Sequence, residues 1–261
     1  MGILNVTPDS FSDGGRFTEA EAMARQVEAI IAAGADIIDI GGESSRPFSE
    51  AVTLTEELAR VLPAVRAVRQ QHPTIPVSID TTKAEVARQA LAAGATIIND
   101  ISALRFDPAM AEVAAQHEAP VILMHMLGTP KDMQIEPRYH DVVAEILTFL
   151  AERIDWAVGK GIRRENLIVD PGLGFGKSVT HNLTIFKHLH RFRELGCPLL
   201  IGHSRKAFIG KILGLAVAER DFPTAVLAGL CVRAGVDLIR VHDAALTRQA
   251  VQLAAAVEAA P

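Results

Sequence analysis

A chain of 261 residues with 49% hydrophobic side chains can bury the core of one large α/β unit. Its net charge of −5 and pI near 6.0 exclude a basic nucleic-acid footprint and an anionic-membrane anchor, so any bound anion must be held by a local cluster. No uncharged apolar run reaches the roughly 18 residues of a membrane span, and no basic n-region leads into an apolar h-region, which points to a cytoplasmic protein.

The first strand is MGILNV, with Asn5 near its end and a polar, glycine-ended loop from Thr7 to Gly15 behind it. Thr18 and Glu21 predict a capping box, and Met23, Val27, Ile30 and Ile31 fall on one helical face. Gly34 stops that helix; Asp36 to Ile40 reads as the second strand and Gly41 to Pro47 as a second polar loop. Thr53 with Glu56 predicts another capping box, opening a helix with Leu54, Leu58, Val61, Leu62 and Val65 on its inner face, and Pro73 ends it. The cycle then repeats. Strand Val77 to Ile79 ends at Asp80, with Thr82 and Glu85 capping the next helix. Thr96 to Ile98 ends at Asn99-Asp100, with Asp107-Pro108 opening a fourth helix. Val121 to Met124 ends at His125, and a long loop precedes a helix near Asp141 to Lys160.

The sixth strand carries the most distinctive stretch, LIVDPGLGFGKS from Leu167 to Ser178. A β-branched run delivers Asp170 to its carboxyl end and breaks at Pro171. Gly172, Gly174 and Gly176 then alternate with Leu173, Phe175 and Lys177, a bare-backbone loop with one aromatic and one cation. A phosphate-cradling P-loop would need glycine where Pro171 stands, which argues against an ATPase. Strand Leu199 to Ile201 ends at Gly202-His203-Ser204-Arg205-Lys206, and Leu238 to Val241 ends with Arg240, His242 and Asp243 before an alanine-rich helix. Cys197 and Cys231 show no metal or redox spacing and are expected as buried hydrophobes.

One phrase of helix stop and strand entry occurs three times, at Ala33 to Ile38, Ala93 to Ile98 and Ala234 to Ile239. Eight strands alternate with helices and no composition break marks a linker, so residues 1–261 are expected to form a single (β/α)8 TIM barrel. An open doubly wound sheet is the alternative, but its G-x-G-x-x-G after the first strand is missing from Asn5-Val6-Thr7-Pro8.

In such a barrel the active site lies at the carboxyl ends of the strands. The rim then holds Asn5, the Ser44-Ser45-Arg46 loop, Asp80, Asn99, His125, Asp170, Ser204 with Lys206, and Arg240 with His242. Any one of these is an ordinary turn residue; eight strand ends in succession are not. Asp80, Asn99 and Asp170 suit a flat heterocycle with several N–H donors. Arg46, Arg240 and His242 suit phosphate. Ser204, just ahead of a predicted helix, offers a hydroxyl and free backbone N–H groups as a carboxylate seat. Phe175 and Met124 are candidate apolar walls, although Met124 reads equally well as core. No H-x-H pair ends the first strand, which argues against a hydrolytic zinc barrel, and His181, His188 and His190 are expected on a surface helix. A magnesium ion held by one oxygen plus substrate phosphates fits better, with Asn5 as the oxygen and Asp9 and Asp13 as loop alternatives.

The motifs MGILNVTPDSFSDGG, DIGGESSRP, SIDTTK, IINDI, LMHM, DPGLGFGK, GHSRKAFIG and IRVHD, in order over essentially the whole chain, resemble the dihydropteroate synthase family. The resemblance implies an alkyl-group transferase of folate biosynthesis, inhibited by sulfonamides. It would condense 6-hydroxymethyl-7,8-dihydropterin pyrophosphate with para-aminobenzoate, using Mg2+. By motif, Asp80, Asn99, Met124, Asp170, Lys206 and Arg240 would hold the pterin, with Asp80, Asp170 and Lys206 catalytic. Asn5, Arg46, Arg240 and His242 would bind the pyrophosphate, with Asn5 also on the metal. Ser45, Phe175, Ser204 and Lys206 would frame the aminobenzoate. The glycine-rich first loop and the loop from Ser44 to Glu50 would close over the site, and the later helices would form a homodimer.

Three departures from the family pattern stand out. Many relatives carry a short hairpin before MGILNV, so either a more exposed barrel floor or a trimmed N-terminus is expected. Ser45 takes the place of the usual threonine, keeping the hydroxyl and losing a methyl, which bears on drug response more than on activity. His203 and Ala207 flank the Ser-Arg-Lys motif without evident chemistry. Two relatives of the reading compete with it. A pterin-dependent methyltransferase barrel has no need of Ser204-Arg205-Lys206 with Arg240 and His242. A non-catalytic pterin-binding homologue has no need of the intact Asn5, Arg46, Lys206 and His242 set.

Overall fold

The computed structural model describes residues 1–6, 16–45 and 49–261, with residues 16–20 as backbone. Eight parallel strands alternate with helices. In chain order they are β1 (Gly2–Asn5), β2 (Ile38–Gly41), β3 (Val77–Asp80), β4 (Ile97–Asp100), β5 (Val121–Met124), β6 (Leu167–Asp170), β7 (Leu200–Ile201) and β8 (Leu238–Ile239). β1 to β6 form one ladder and β7 with β8 a second. Parallel bridges at Gly2–Val241 and Val169–Leu199 join the two at both seams, with Ile3 N donating to Val241 O at 3.0 Å and Val169 N to Pro198 O at 2.9 Å. The ring of eight therefore closes, as the repeated βα units require.

Among the described residues the outer layer holds nine α-helices: α1 (Arg16–Ala32), α2 (Leu54–Gln71), α3 (Ala84–Ala92), α4 (Met110–Gln116), α5 (Val142–Gly159), α6 (Val179–Lys187), α7 (Ala207–Leu213), α8 (Asp221–Arg233) and α9 (Ala244–Glu258). The extra helix arises between β7 and β8, where Gly214 in the left-handed conformation ends α7 and Asp221 begins α8. The three-fold echo has a backbone cause: Gly34, Gly94 and Gly235 all take positive φ where the chain turns from helix to strand.

Two of the three predicted capping boxes are corrected. Thr53 does accept from Glu56 N at 3.3 Å. Helix α1, however, begins at Arg16, which leaves Thr18 inside its first turn. Helix α3 begins at Ala84, whose N–H donates to Asp107 Oδ2 at 2.8 Å, so an acid from the following loop replaces Thr82 as the cap. Asp107 Oδ1 also accepts from Ala109 N at 3.0 Å, serving two helix starts at once.

Helix faces such as Val61, Val65 and Val68 of α2 and Ile146, Leu150 and Ile154 of α5 pack on the outer side of the strands with no exposure above 1%. Inside the barrel, Ile97, Ile122, Ile168 and Leu200 form a separate layer near the strand starts, with Met1, Ile37 and Leu238 half-buried beneath it. That layer seals the floor and leaves the carboxyl ends as the open mouth. The free cysteines Cys197 and Cys231 are buried, as expected, and burial pushes the Cys231 thiol up to about 12. No helix among the described residues is long and apolar enough to cross a membrane.

Candidate active site

Strand register sets the height of the polar side chains. Asn5 pairs with Gly41, Gly41 with Asp80, and Asp80 with Asn99, so residues from four strands stand level at the mouth. Met124 pairs with Asp170 on the far side. Arg240, just past β8, reaches across this tier: Nη2 donates to Asp80 Oδ2 at 2.7 Å and Nε to Asp39 Oδ2 at 2.6 Å. Gly202 lacks a side chain where one would stand within 4.0 Å of Asp170 Oδ2 and of Arg240, and Gly41 is bare where one would meet Asp80 Oδ2 and Asn5 Oδ1. Asn5, Asp80, Asp170 and Arg240 thus occupy one pole of the barrel. Lys206 joins them from the β7 loop, its ammonium 4.0 Å from the centre of the Phe175 ring and close enough to Arg240, Asp170 and Asp80 for their charges to act on it.

Burial decides the charge states. It pushes the Asp80 carboxyl up to about 7 against the pull of Arg240, with Asp39 adding to the rise. It pushes Asp170 up to about 6, opposed by the Gly172 N–H at 2.7 Å and by Lys206, Lys177 and Arg240. Lys206 is brought down to about 8 by burial and by Arg240, the two acids working the other way. For Arg240 burial opposes the charge, but Asp39 and Asp80 outweigh it and hold the guanidinium above its usual range. Two titratable acids and a lysine shifted toward neutrality in one mouth are the pattern expected of a candidate functional site.

The loop after β6 is built to carry Phe175. Gly172 has φ +67°, and a Cβ there would lie 2.0 Å from His125 O, so only glycine fits. Asn182 of α6 accepts from Gly174 N at 2.7 Å, Gln134 donates to Gly174 O, and Tyr139 donates to Gly176 O at 2.9 Å. Phe175, Met124, Ile101, Met126 and Met133 then form a small buried apolar cluster apart from the main core. Lys177, expected as a loop cation, turns inward instead. It is 3% exposed, with Nζ 3.0 Å from His125 Nδ1 and 2.9 Å from Phe175 O. Burial pushes it down to about 7, with Asp170 opposing.

Other rim expectations change in detail. His125 is buried edge-on against Phe149 of α5 and held down to about 2 by burial, Lys177 and Arg105, so it is a packed neutral ring. Ser204 Oγ is held by His242. Its hydroxyl accepts from His242 N at 3.1 Å and lies 2.8 Å from His242 Nδ1, while Arg205 N is taken by Thr224 Oγ1 and Lys206 N by His203 O. Burial, Arg205 and Arg240 bring His242 down to about 4, which keeps its imidazole neutral. Arg205 pairs with Asp221 and does not enter the mouth. His203, unaccounted for in the sequence, is wholly buried, bonds through Nε2 to Thr224 O at 2.9 Å and stands edge-on to Phe186. His181 lies on α6, the outer helix expected for it, and closes a capping box there: its Nδ1 accepts from Ser178 N and its N–H donates to Ser178 Oγ.

Asp39 went unremarked in the sequence. It is fully buried within β2, accepting from Arg240 and from Asn99 Nδ2 at 3.3 Å. An acid between isoleucines in a short buried strand was the available signal. Nearby, Lys83 bridges Glu43 and Glu57 and so ties the β2 loop to α2. A cavity of about 330 Å3 opens beside Asp80 on the β2 to β5 side of the mouth, lined in part by Ser44, Ser45, Lys83 and Phe106. Arg46 and the first loop, with Asp9 and Asp13, lie outside the described residues.

With this geometry in place, comparison with known proteins is decisive. Residues 1–242 match the family model described as pterin binding enzyme. Over 258 residues the chain is 47% identical to the dihydropteroate synthase of Synechocystis sp., covering 98% of this chain and 89% of that protein. The chain belongs to the dihydropteroate synthase family. Its members are transferases of folate biosynthesis, and the Escherichia coli enzyme is 44% identical over 97% of this chain and 89% of its own length. A solved Xanthomonas albilineans dihydropteroate synthase with 4-aminobenzoic acid superimposes with TM-score 0.93 at 46% identity, over 100% of this chain and 93% of that one. A Yersinia pestis dihydropteroate synthase with a sulfonamide drug complex gives 0.94 at 42%, over 100% and 94%. Another X. albilineans structure contains 7,8-dihydropteroate.

Proposed function

We propose that this mouth joins 6-hydroxymethyl-7,8-dihydropterin pyrophosphate to para-aminobenzoate, releasing pyrophosphate and 7,8-dihydropteroate. The observation that carries the assignment of roles is the Asp80–Arg240 pair, level with Asn99 and facing Asp170 and Lys206. Asp80, Asn99 and Asp170 accept from and donate to the edge of the pterin, Lys206 donates to its carbonyl side, and Met124 forms the apolar wall. Arg240, already neutralised by Asp39 and Asp80, lies over the ring and with Asn5, Arg46 and His242 receives the pyrophosphate. The neutral His242 serves there as a ring N–H donor. Ser45, Phe175, Ser204 and Lys206 frame the aminobenzoate and hence any sulfonamide that mimics it.

Departure of pyrophosphate leaves an electron-poor exocyclic methylene, which the carboxylates of Asp80 and Asp170 stabilise through space. The aniline is a weak nucleophile that needs placement more than deprotonation. Seating it on Phe175 and Lys206 supplies that placement, and the first loop with the Arg46 loop would exclude water. Asn5 suits a magnesium ion, since its Oδ1 is a hard oxygen ligand standing at the mouth beside Gly41. No group of three His, Cys, Asp or Glu residues placed to hold a metal ion exists among the described residues, and an ion held mainly by water and phosphate needs none. When bound, magnesium would neutralise the departing diphosphate.

Exposed apolar side chains on the later helices support a homodimer. Phe222, Val226 and Leu230 form an exposed stripe along α8, and Leu253 with Val257 a second on α9. Purified protein supplied with the pterin pyrophosphate, para-aminobenzoate and Mg2+ should release pyrophosphate and form dihydropteroate. Lys206→Ala and Asp80→Ala should each nearly abolish turnover; full activity in both variants refutes the roles assigned to these side chains. Sedimentation should show a dimer that Phe222→Asp dissociates.

A further inference from the structure

Arg205 stands between two residues of the mouth in a conformation that suits it badly. Lys206 N donates to His203 O at 3.3 Å, closing a four-residue turn, and Arg205 occupies the third position with φ +56°. Glycine or asparagine ordinarily stands there, because a Cβ makes that conformation strained. What arginine adds is its side chain. Nε and Nη2 donate to the two carboxylate oxygens of Asp221 at 2.6 and 2.7 Å, a bidentate grip on the first residue of α8. The rest of the turn is tied to the same helix end. Arg205 N donates to Thr224 Oγ1 at 3.2 Å, His203 Nε2 lies 2.9 Å from Thr224 O, and Arg220 Nη1 donates to Arg205 O at 3.1 Å.

We propose that Arg205 and Asp221 are positioning residues, a clamp that holds the strained turn presenting Ser204 and Lys206 to the aminobenzoate. The inference rests on the reading of Ser204 and Lys206 as substrate-binding groups. A turn that merely tolerates a poor residue would improve when that residue is replaced by glycine. A turn held by the clamp would keep its stability and lose its function.

Arg205→Gly separates the two. The KM for para-aminobenzoate should rise roughly 10- to 100-fold, the scale of an ångström of misplacement, with a smaller fall in kcat and no loss of melting temperature. Asp221→Asn keeps the arginine's charge and removes only the grip, and should raise the same KM; Asp221→Glu should restore most of it. Arg205 lowers the His242 pKa together with Arg240 and Lys206, while Asp221 raises it. The imidazole titration followed by NMR should therefore move up in Arg205→Gly. Unchanged KM in both Arg205→Gly and Asp221→Asn overturns the clamp, whether or not either variant is less stable. Ser204→Ala and Lys206→Ala run alongside: if they too leave KM and kcat untouched, the site reading has failed, and if they alone cut activity, only the clamp has.

Discussion

Asp39→Asn tests how the mouth keeps Arg240 in place. The wild-type carboxylate is wholly buried, takes the Arg240 Nε–H at 2.6 Å and receives the Asn99 amide at 3.3 Å. Hydrogen bonds to charged groups contribute about 1.5–3 kcal/mol, and breaking a buried pair outright costs about 3–5 kcal/mol. An amide keeps the shape and one acceptor, so a loss of about 2–3 kcal/mol is expected. At about 2–4 °C per kcal/mol for a chain of this size, the melting temperature should fall by roughly 4–12 °C. Arg240, left with Asp80, should drift from the ring face and lower kcat/KM by about 10- to 100-fold. The pH profile supplies an independent sign. Asp39 helps to raise the Asp80 pKa, so its removal should move the acid limb of kcat/KM below its wild-type position near 7. Calorimetry and steady-state rates between pH 5 and 9 (about four units, chosen to bracket both limbs) read all three effects. A variant with wild-type melting and an unmoved acid limb would refute the role of Asp39 as anchor of this charge network.

Other outcomes follow from the same electrostatics. Wild-type kcat/KM should rise as Asp170 and Asp80 lose their protons through about 6 and 7 and fall as Lys206 loses its charge above about 8; Lys206→Arg should flatten the alkaline limb, and an alkaline fall that persists there removes Lys206 as its source. Lys177 lowers the Asp170 pKa. Lys177→Met should accordingly shift the acid limb up, opposite to Asp39→Asn, and a shift in the same direction would show that the two charges do not act as placed. Gly172→Ala puts a Cβ 2.0 Å from His125 O at φ +67°. It should cost at least the roughly 1–3 kcal/mol of left-handed strain and weaken aminobenzoate binding through Phe175; thermal melts matching wild type would mean the loop can relax at no cost.

The barrel and most of its mouth are legible in the sequence because the signals are local. Strand ends announce themselves by a short apolar run and an acid, and helix stops by Ala-Gly-Ala, whose glycine needs positive φ. Where the expectation fails, the deciding partner is far along the chain. Thr82 looks like a cap, but Asp107 takes the position. Lys177 looks like a loop cation, yet acceptors on His125, 52 residues away, draw it inside. Asp39 is hidden among isoleucines because the arginine that neutralises it lies 201 residues on. Arg205 occupies a position where turn rules call for glycine, and Asp221 alone makes sense of it. In each of these last two cases the residue is costly by local rules, a charge inside a strand or a side chain at positive φ. Such a cost is sustained only when a partner from another element offsets it, as Arg240 does for Asp39 and Asp221 for Arg205. A locally unfavourable charged residue is thus the sequence's pointer to a long-range contact, and in this chain the two clearest instances both lead to groups proposed to hold substrate.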